Sequence, residues 1–199
     1  MIIPYVHNVA NTNQFEEIMS ILVLHTYGFL EHPGGHPATE AFWAAVPEVQ
    51  MSRENAPGLL RGVAMAFTPD GDPMGEDDVF GPNVTPQFHD SSRERISLAT
   101  LSAWADPESA ASYSFHGPHG AAMKNRNEWF RQDHSWPTSV MWWTDDLESV
   151  NWVEANARLA QLDADGPTPE AFSFRSMFSS GGEKMRMDNE RVKELGGRS

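Results

Sequence analysis

The residues best suited to acid–base chemistry lie in the second half of the sequence, where His119 precedes Arg126 by seven positions. On a continuous helix this spacing places both side chains on one face, and Trp129 roughly shares that face. An imidazole can exchange a proton near neutral pH, and a guanidinium can stabilise an enolate or a carboxylate. The pattern predicts a pocket for a planar, oxygenated organic molecule. The structural alternative is that Arg126 pairs with an acid and that His119 caps the helix break after Gly117-Pro118.

A second pair of ionisable side chains, His25 and Tyr27, lies on a predicted strand in the first third of the chain. Side chains two positions apart on a strand point to the same face of the sheet. If the helices cover that face, His25 joins His119 and Arg126 as a catalytic residue, and Tyr27 contacts the substrate. If the face meets a partner subunit instead, both side chains serve packing.

No metal-binding motif is complete in the sequence. His116 and His119 are spaced as i and i+3, but a Gly-Pro step between them disrupts the helical geometry, and His32 and His36 lie in a turn rich in proline and glycine. The chain has no cysteine, which excludes thiolate ligands, disulfides and cysteine nucleophiles. We therefore predict no cofactor. The alternative is haem, with His25, His116 or His119 as the axial ligand.

Tryptophan is unusually frequent, with seven residues in the chain. The structural explanation is packing in the core and at a dimer interface. The functional explanation is an aromatic-lined cavity for a hydrophobic metabolite. Under the functional explanation, the substrate-binding side chains besides Tyr27 are Trp104, Tyr113, His116, Trp129 and Trp142.

The charge and hydropathy of the chain limit its partners. The formal net charge of −14 repels phosphate backbones and anionic lipid headgroups, so we expect neither nucleic acid nor a membrane as a partner. The longest apolar stretch, around residues 18–24, is too short to cross a bilayer, and the N-terminus has no basic segment followed by an apolar run. We therefore expect a cytoplasmic protein.

The elements that must position these side chains follow from hydrophobic periodicity and turn residues. After an arm at residues 1–17, strands are predicted at 18–29, 59–67, 96–105, 139–144 and 171–174. Helices are predicted at 39–55, at 107–130 with a break at Gly117-Pro118, and at 151–162. The two remaining segments are a long loop that could act as a lid, at 68–95, and a flexible tail without an apolar face, at 179–199.

Without the arm and the tail, the main elements run β-α-β-β-α-β. This order is typical of a ferredoxin-like sheet in a single α+β domain, here residues 18–178, with both helices on one face. The other face is rich in Val, Met, Leu and Trp and would leave apolar surface in water. We therefore predict a homodimer that pairs the two open sheet faces about a two-fold axis.

A spaced pattern, mostly in the second half of the chain, resembles a known family. It consists of Thr100–Trp104, Tyr113–Phe115, His119, Met123, Arg126, Trp129-Phe130, Trp142-Trp143, Glu154-Ala155, Arg158-Leu159, Leu162, Gly166–Thr168 and Ala171–Phe174. The pattern resembles an uncharacterised family, known only as a domain of unknown function, in the dimeric α+β barrel superfamily of antibiotic biosynthesis monooxygenase-like proteins. The agreement spans roughly residues 20–175, and residues 68–95 look like an insertion. The resemblance implies the fold and the dimer but brings no reaction, because the family has no general assigned activity.

Three functions are compatible with the sequence. By analogy with the wider superfamily, the first is a small-molecule enzyme of secondary metabolism. It would act on a hydrophobic polyketide- or terpenoid-like substrate by cofactor-independent oxygenation, cyclisation or isomerisation, using His119, Arg126 and His25. The second is a non-catalytic or stress-related dimer that binds a hydrophobic small molecule. The third is a haem-binding protein.

Overall fold

The computed structural model describes residues 20–75 and 79–197. The arm predicted at residues 1–17 lies outside the described residues. The centre of the molecule is a four-stranded antiparallel sheet. Its strands are β1 (Ile21–Phe29), β2 (Leu59–Phe67), β3 (Ser97–Trp104) and β4 (Ser139–Thr144).

The strands lie side by side in the order β2-β3-β1-β4. The first strand therefore sits between the third and the fourth, as in a ferredoxin-like sheet. With one helix after β1 and another after β3, the described chain has the predicted β-α-β-β-α-β order. The predicted α+β, ferredoxin-like fold class is confirmed.

Helices and a short hairpin complete the described part of the chain. The helices are α1 (Pro37–Glu54), α2 (Pro107–Phe115), α3 (Gly117–Met123), α4 (Arg126–Trp129), α5 (Trp152–Asp165) and α6 (Asn189–Gly196). Single 3-10 turns lie at Ser91–Arg93 and Leu147–Ser149, and the hairpin consists of β5 (Met177–Phe178) and β6 (Lys184–Met185). None of the helices in these ranges is long and apolar enough to span a bilayer.

The junction between α2 and α3 has clear local causes. Asp106 begins α2 by accepting a hydrogen bond from the backbone N–H of Ser109 at 2.7 Å. Gly117 turns the chain at the first residue of α3, because its φ of +56° is a left-handed conformation that favours glycine. Gly120 then lets α3 approach α2 closely, since a Cβ at this position would lie 2.5 Å from the carbonyl carbon of Phe115. The predicted helix break therefore lies where the sequence indicates it.

One face of the sheet, which we call the α1–α2 face, is covered by the two helices that follow β1 and β3. Its main buried side chains are Leu22, Leu24, Trp104 and Met141, which cluster with Ala110 of α2. Helix α1 sits less deeply on this face, because only two of its eighteen residues are fully buried. Helix α3, which lies beside both α1 and α2, has no fully buried residue.

The opposite face, which we call the α5 face, is also covered, and this corrects the prediction of an open sheet face. Helix α5 packs Trp152, Ala155 and Leu159 over it, and Phe80 and Phe88 from the long loop cover the rest. The strand side chains beneath are buried, including Val23, Leu101, Val140 and Trp142. The error arose because an amphipathic helix after β4 can pack on either face of the sheet. The homodimer stays a prediction, but the open sheet face that motivated it is covered by α5 and the long loop.

The C-terminal segment also differs from its prediction, because the described part of the presumed tail is folded. Helix α6 lies against α2, where Arg191 pairs with Asp106 and the backbone N–H of Asp188 donates to the Glu108 carboxylate at 3.1 Å. Val192 is its one buried side chain. A single apolar residue and a few polar contacts give no periodic signal, so these tertiary contacts could not be read from the pattern.

The closing strand predicted at residues 171–174 is wrong. Phe172 exchanges two backbone hydrogen bonds with Met141, at 2.7 and 2.9 Å, and forms only an isolated bridge. The bridge joins Phe172 to Met141 of β4, which is an edge strand of the sheet. Extended structure resumes further along the chain, in β5.

Candidate functional site

The structure divides the predicted site residues between the two faces of the sheet. Those on the α5 face are His25, Tyr27 and Trp142. Those on or above the α1–α2 face are Trp104, Tyr113, His116, His119 and Trp129. The sequence leaves open whether His25 and Tyr27 join His119 in one pocket, and the structure shows that they do not, because alternation along β1 turns them to the other face.

His25 is a neutral residue of the core. Its side chain is fully buried, with Nδ1 2.9 Å from the carbonyl oxygen of Thr100. Its ring meets Trp152 of α5 edge-on at a centroid distance of 6.1 Å. Burial lowers the pKa of His25 to about 4, against a smaller opposite effect of the bond to Thr100. Its surroundings are those of a packing residue.

Tyr27 and Trp142 are likewise enclosed on the α5 face. The Tyr27 hydroxyl lies 3.3 Å from Nδ1 of His89, and its ring stacks on Trp136 at 5.5 Å. Burial raises the pKa of Tyr27. Trp142 is buried beneath α5 in the same apolar cluster. Both residues fit the structural explanation of the aromatic content.

Arg126 and Trp129 do not join His119. Helix α3 ends at Met123 and α4 is a separate short helix, so the seven-residue spacing does not place the two side chains on one helical face. Arg126 is exposed, with no side-chain partner among residues 20–75 and 79–197. Trp129 packs on Phe42 of α1, with ring centroids 5.6 Å apart. The predicted role of Arg126 beside His119 is therefore wrong.

Three predicted residues do come together, in what we call the aromatic stack: Trp104, Tyr113 and His119. The ring centroids of Trp104 and Tyr113 are 5.4 Å apart, and those of Tyr113 and His119 are 4.6 Å apart. The indole N–H of Trp104 donates to the Ser102 hydroxyl at 2.8 Å. Because the three rings come from β3, α2 and α3, the stack joins both helices to the sheet.

His119 has a defined tautomer within this stack. Its Nδ1 lies 2.9 Å from the carbonyl oxygen of Ser114, and a carbonyl can only accept, so Nδ1 carries the proton. Burial lowers the pKa of His119, outweighing the opposite effect of the bond to Ser114. At neutral pH the ring is therefore uncharged and its Nε2 has a free lone pair. This is the protonation state that a general base requires.

Tyr113 has the complementary property of a hydrogen-bond donor. Burial raises the pKa of Tyr113 to about 12, although the nearby charge of Arg53 acts in the opposite direction. The phenol therefore keeps its proton at neutral pH. The stack thus carries a proton acceptor, Nε2 of His119, and a proton donor, the Tyr113 phenol, on adjacent rings.

A small cavity, which we call the His116 cavity, opens beside the stack. Its free volume is about 20 Å³, which is room for roughly one water molecule. Its lining consists of Ser52, Ala56, Pro57, Ser112, Tyr113, His116, Gly117 and Pro118. The residues come from the end of α1 and the turn after it, the end of α2 and the start of α3. The cavity therefore lies where the two loosely held helices, α1 and α3, meet α2.

Arg53 is the residue of this region that the sequence analysis missed. It follows Ser52 at the end of α1, and its stem packs on the backbone of Gly62. A signal was present, because Arg53 continues the half-buried stripe of Phe42, Val46 and Val49 along α1. A cation at the end of an apolar helix stripe is a candidate for function, but recognising it requires knowing which way α1 faces.

Histidine pairs elsewhere do not form a metal centre. In the described part of the chain, no three His, Asp or Glu side chains gather where they could hold a metal ion. His32 and His36 stack their rings 3.7 Å apart, and Nδ1 of His36 accepts a hydrogen bond from the backbone N–H of Ala38. The two histidines therefore lie at the start of α1, where His36 caps the helix.

Comparison with known proteins places the chain among uncharacterised relatives. No curated protein matches it. A solved structure from Nitrosomonas europaea, described as a "putative antibiotic biosynthesis monooxygenase", is similar at 12% identity with a TM-score of 0.39, over 67% of this chain and 95% of that one. Residues 22–188 match the model of DUF3291, a domain of unknown function. The chain therefore belongs to the DUF3291 family, as the spaced pattern in its sequence predicted.

Proposed function

We propose that the chain is a small-molecule enzyme that moves a proton on a hydrophobic, oxygenated substrate, with His119 as the general base. The observation that carries this proposal is the bond between Nδ1 of His119 and the Ser114 carbonyl. It fixes the tautomer, while burial keeps the ring neutral by lowering its pKa. A half-buried base held in one tautomer, with a protonated phenol on the adjacent ring, is suited to removing a proton next to a carbonyl.

In the proposed step, Nε2 of His119 takes a proton from a carbon adjacent to a substrate carbonyl. The electron pair of the broken C–H bond moves to the carbonyl oxygen, where the Tyr113 hydroxyl donates a hydrogen bond to the developing enolate. Return of the proton to a different carbon isomerises the substrate. The enolate carbon can instead attack a second carbonyl of the molecule, which closes a ring as the π pair of that carbonyl becomes an alkoxide and takes the proton from Nε2 of His119. It can also add dioxygen, a co-substrate that is reduced to the peroxide level, and the peroxide anion takes that proton to give a hydroperoxide. These are the outcomes expected for a polyketide- or terpenoid-like compound.

Substrate entry requires movement of α1 or α3. The His116 cavity has room for about one water molecule, which is too small for a multi-ring compound. Helix α3 has no fully buried residue and α1 has two. These are the bordering elements that are held by the least buried surface, so they are the ones we expect to shift.

The experiment measures deuterium uptake at the α-carbon of bicyclic ketones, such as 2-tetralone, by NMR in D₂O. We expect the wild-type protein to accelerate uptake above the buffer rate, and His119→Gln to lose roughly 100-fold or more of that acceleration. The exposed Arg126→Gln is the matched control and should behave as wild type. Equal rates for wild type and His119→Gln would refute the proposed base.

The second candidate is a non-catalytic protein that sequesters a hydrophobic ligand. It is favoured by the apolar part of the cavity lining, Ala56, Pro57 and Pro118. In that case His119→Gln would leave ligand affinity unchanged, and no ketone would exchange faster than in buffer. A homodimer and a cytoplasmic location also remain proposals. The enzyme proposal depends on neither, because all of its residues come from one chain.

A further inference from the structure

Helix α6 extends from the start of α2 to its end, although few contacts hold it there. At the start of α2, Arg191 pairs with Asp106, and the backbone N–H of Asp188 donates to the Glu108 carboxylate at 3.1 Å. Within α6 itself, Val192 is the only residue that is fully buried. A helix held by one apolar side chain and a few polar contacts near its beginning undocks more easily than the core unfolds.

The far end of α6 lies against His116, the residue between α2 and α3. A Cβ on Gly196 would lie 2.8 Å from Cγ of His116 and 3.0 Å from its Cβ. Both atoms belong to the base of the side chain, and Cβ does not move when the ring rotates. The close approach therefore depends on glycine at position 196. Through this contact α6 restrains His116 itself and not only the tip of its ring.

His116 and Gly117 form a joint between α2 and α3. His116 ends α2 and begins α3 in an extended conformation, with φ of −121° and ψ of 176°, and its side chain makes no capping hydrogen bond to α3. Gly117 follows with a positive φ, and α3 has no fully buried residue. The direction in which α3 leaves α2 therefore depends on this two-residue joint. His119, the proposed base, lies two residues beyond it.

We propose that α6 is a latch that holds this joint closed, so that substrate reaches His119 only when the end of α6 leaves His116. With α6 undocked, the joint rotates and α3 moves away from the aromatic stack, which widens the water-sized His116 cavity. When α3 returns, Nδ1 of His119 recovers its bond to the Ser114 carbonyl. This inference rests on the proposed function for the identity of the site that is regulated, but the coupling of α6 to α3 requires no reaction.

The test measures hydrogen–deuterium exchange of backbone amides by mass spectrometry in Gly196→Ala, which places a methyl group against His116. We expect exchange to be about tenfold faster than in wild type in both α6 and α3, with the sheet unchanged. Gly197→Ala is the matched control, because a Cβ there would have no neighbour closer than 3.5 Å, and it should exchange as wild type. Val192→Ala weakens α6 at its buried anchor instead and should give the same pattern as Gly196→Ala. Circular dichroism establishes that each variant is folded.

Three results would overturn the inference. The first is faster exchange in α6 alone, because α3 would then be held independently of α6. The second is equal exchange in Gly196→Ala and Gly197→Ala, because the close contact at His116 would then restrain nothing. The third is a rise in the sheet as large as that in α3, because α3 would then open only by global unfolding.

Deuterium uptake by 2-tetralone separates the latch from the proposed function. If both hold, KM should fall by up to about tenfold in Gly196→Ala, because a larger fraction of the protein is open to substrate. If His119 is not the base, wild type and His119→Gln turn over the ketone equally, while the difference in amide exchange between Gly196→Ala and Gly197→Ala persists. If the latch fails, that difference disappears, while ketone turnover still depends on His119.

Discussion

The close approach of α3 to α2 predicts an unusual response to a glycine-to-alanine substitution. Gly120 lies inside α3, where alanine would ordinarily stabilise a helix by about 1 kcal/mol. Here a Cβ would lie 2.5 Å from the carbonyl carbon of Phe115 and closer still to its oxygen. These are backbone atoms that cannot rotate away, so α3 must shift. We expect overpacking to cost about 2–3 kcal/mol, which leaves a net loss of about 1–2 kcal/mol.

Thermal unfolding measures this loss directly. For a chain of this size, we expect Gly120→Ala to lower Tm by about 2–8 °C. Gly34→Ala is the matched control, because nothing lies within 4 Å of a Cβ there, and its Tm should stay close to that of wild type. A higher Tm for Gly120→Ala would refute the packing of α3 on α2, and with it the position of His119 in the aromatic stack.

Two further predictions concern stability. His25 has a folded pKa of about 4 against an ordinary 6.5, so the unfolded chain binds a proton that the folded protein excludes. The free energy of unfolding should therefore fall by up to about 3 kcal/mol as pH drops from 6.5 to 4. His25→Gln should flatten this slope in denaturant titrations, and parallel pH curves for the two proteins would contradict the assignment. Asp106 both caps α2 and pairs with Arg191 of α6, so Asp106→Ala should lose about 1–2 kcal/mol while Arg191→Ala loses less than about 1. Equal losses in the two variants would show that the cap contributes nothing.

The elements that could be predicted are those with local causes. The start of α2 follows from Asp106-Pro107, and its end from Gly117-Pro118, and the structure places both as expected. The alternation and order of the strands indicate the sheet and the fold class. These features require only neighbouring residues, so a single sequence suffices to find them.

The set of residues that form the site could be predicted only in part, because it depends on which faces of the helices pack against each other and against the sheet. Trp104, Tyr113 and His119 are each candidate site residues in the sequence, and their rings do come together. Arg126 does not, because the helix breaks at Lys124-Asn125, which contains neither glycine nor proline. The cation whose charge acts on the pKa of Tyr113 is instead Arg53, from a helix whose sheet-facing side the sequence does not specify.

The placement of α5 and α6 shows a different limit. The periodicity of α5 predicts a helix, whereas α6 buries only Val192 and is not predicted by the sequence, and in both cases the face against which the helix packs is decided by long-range contacts. For α6 these contacts include the ion pair from Arg191 and the burial of Val192. An element of this kind reads as solvent-exposed until its docking partner is known.

The central claim is that His119 is a neutral imidazole whose proton resides on Nδ1. The most direct test is the nitrogen chemical shifts of the His119 ring in ¹⁵N-labelled protein at pH 7, assigned by comparison with His119→Gln. The account predicts a protonated, pyrrole-type Nδ1 and an unprotonated, pyridine-type Nε2. An imidazolium, or a proton on Nε2 instead, would contradict both the bond to Ser114 and the role of His119 as a base.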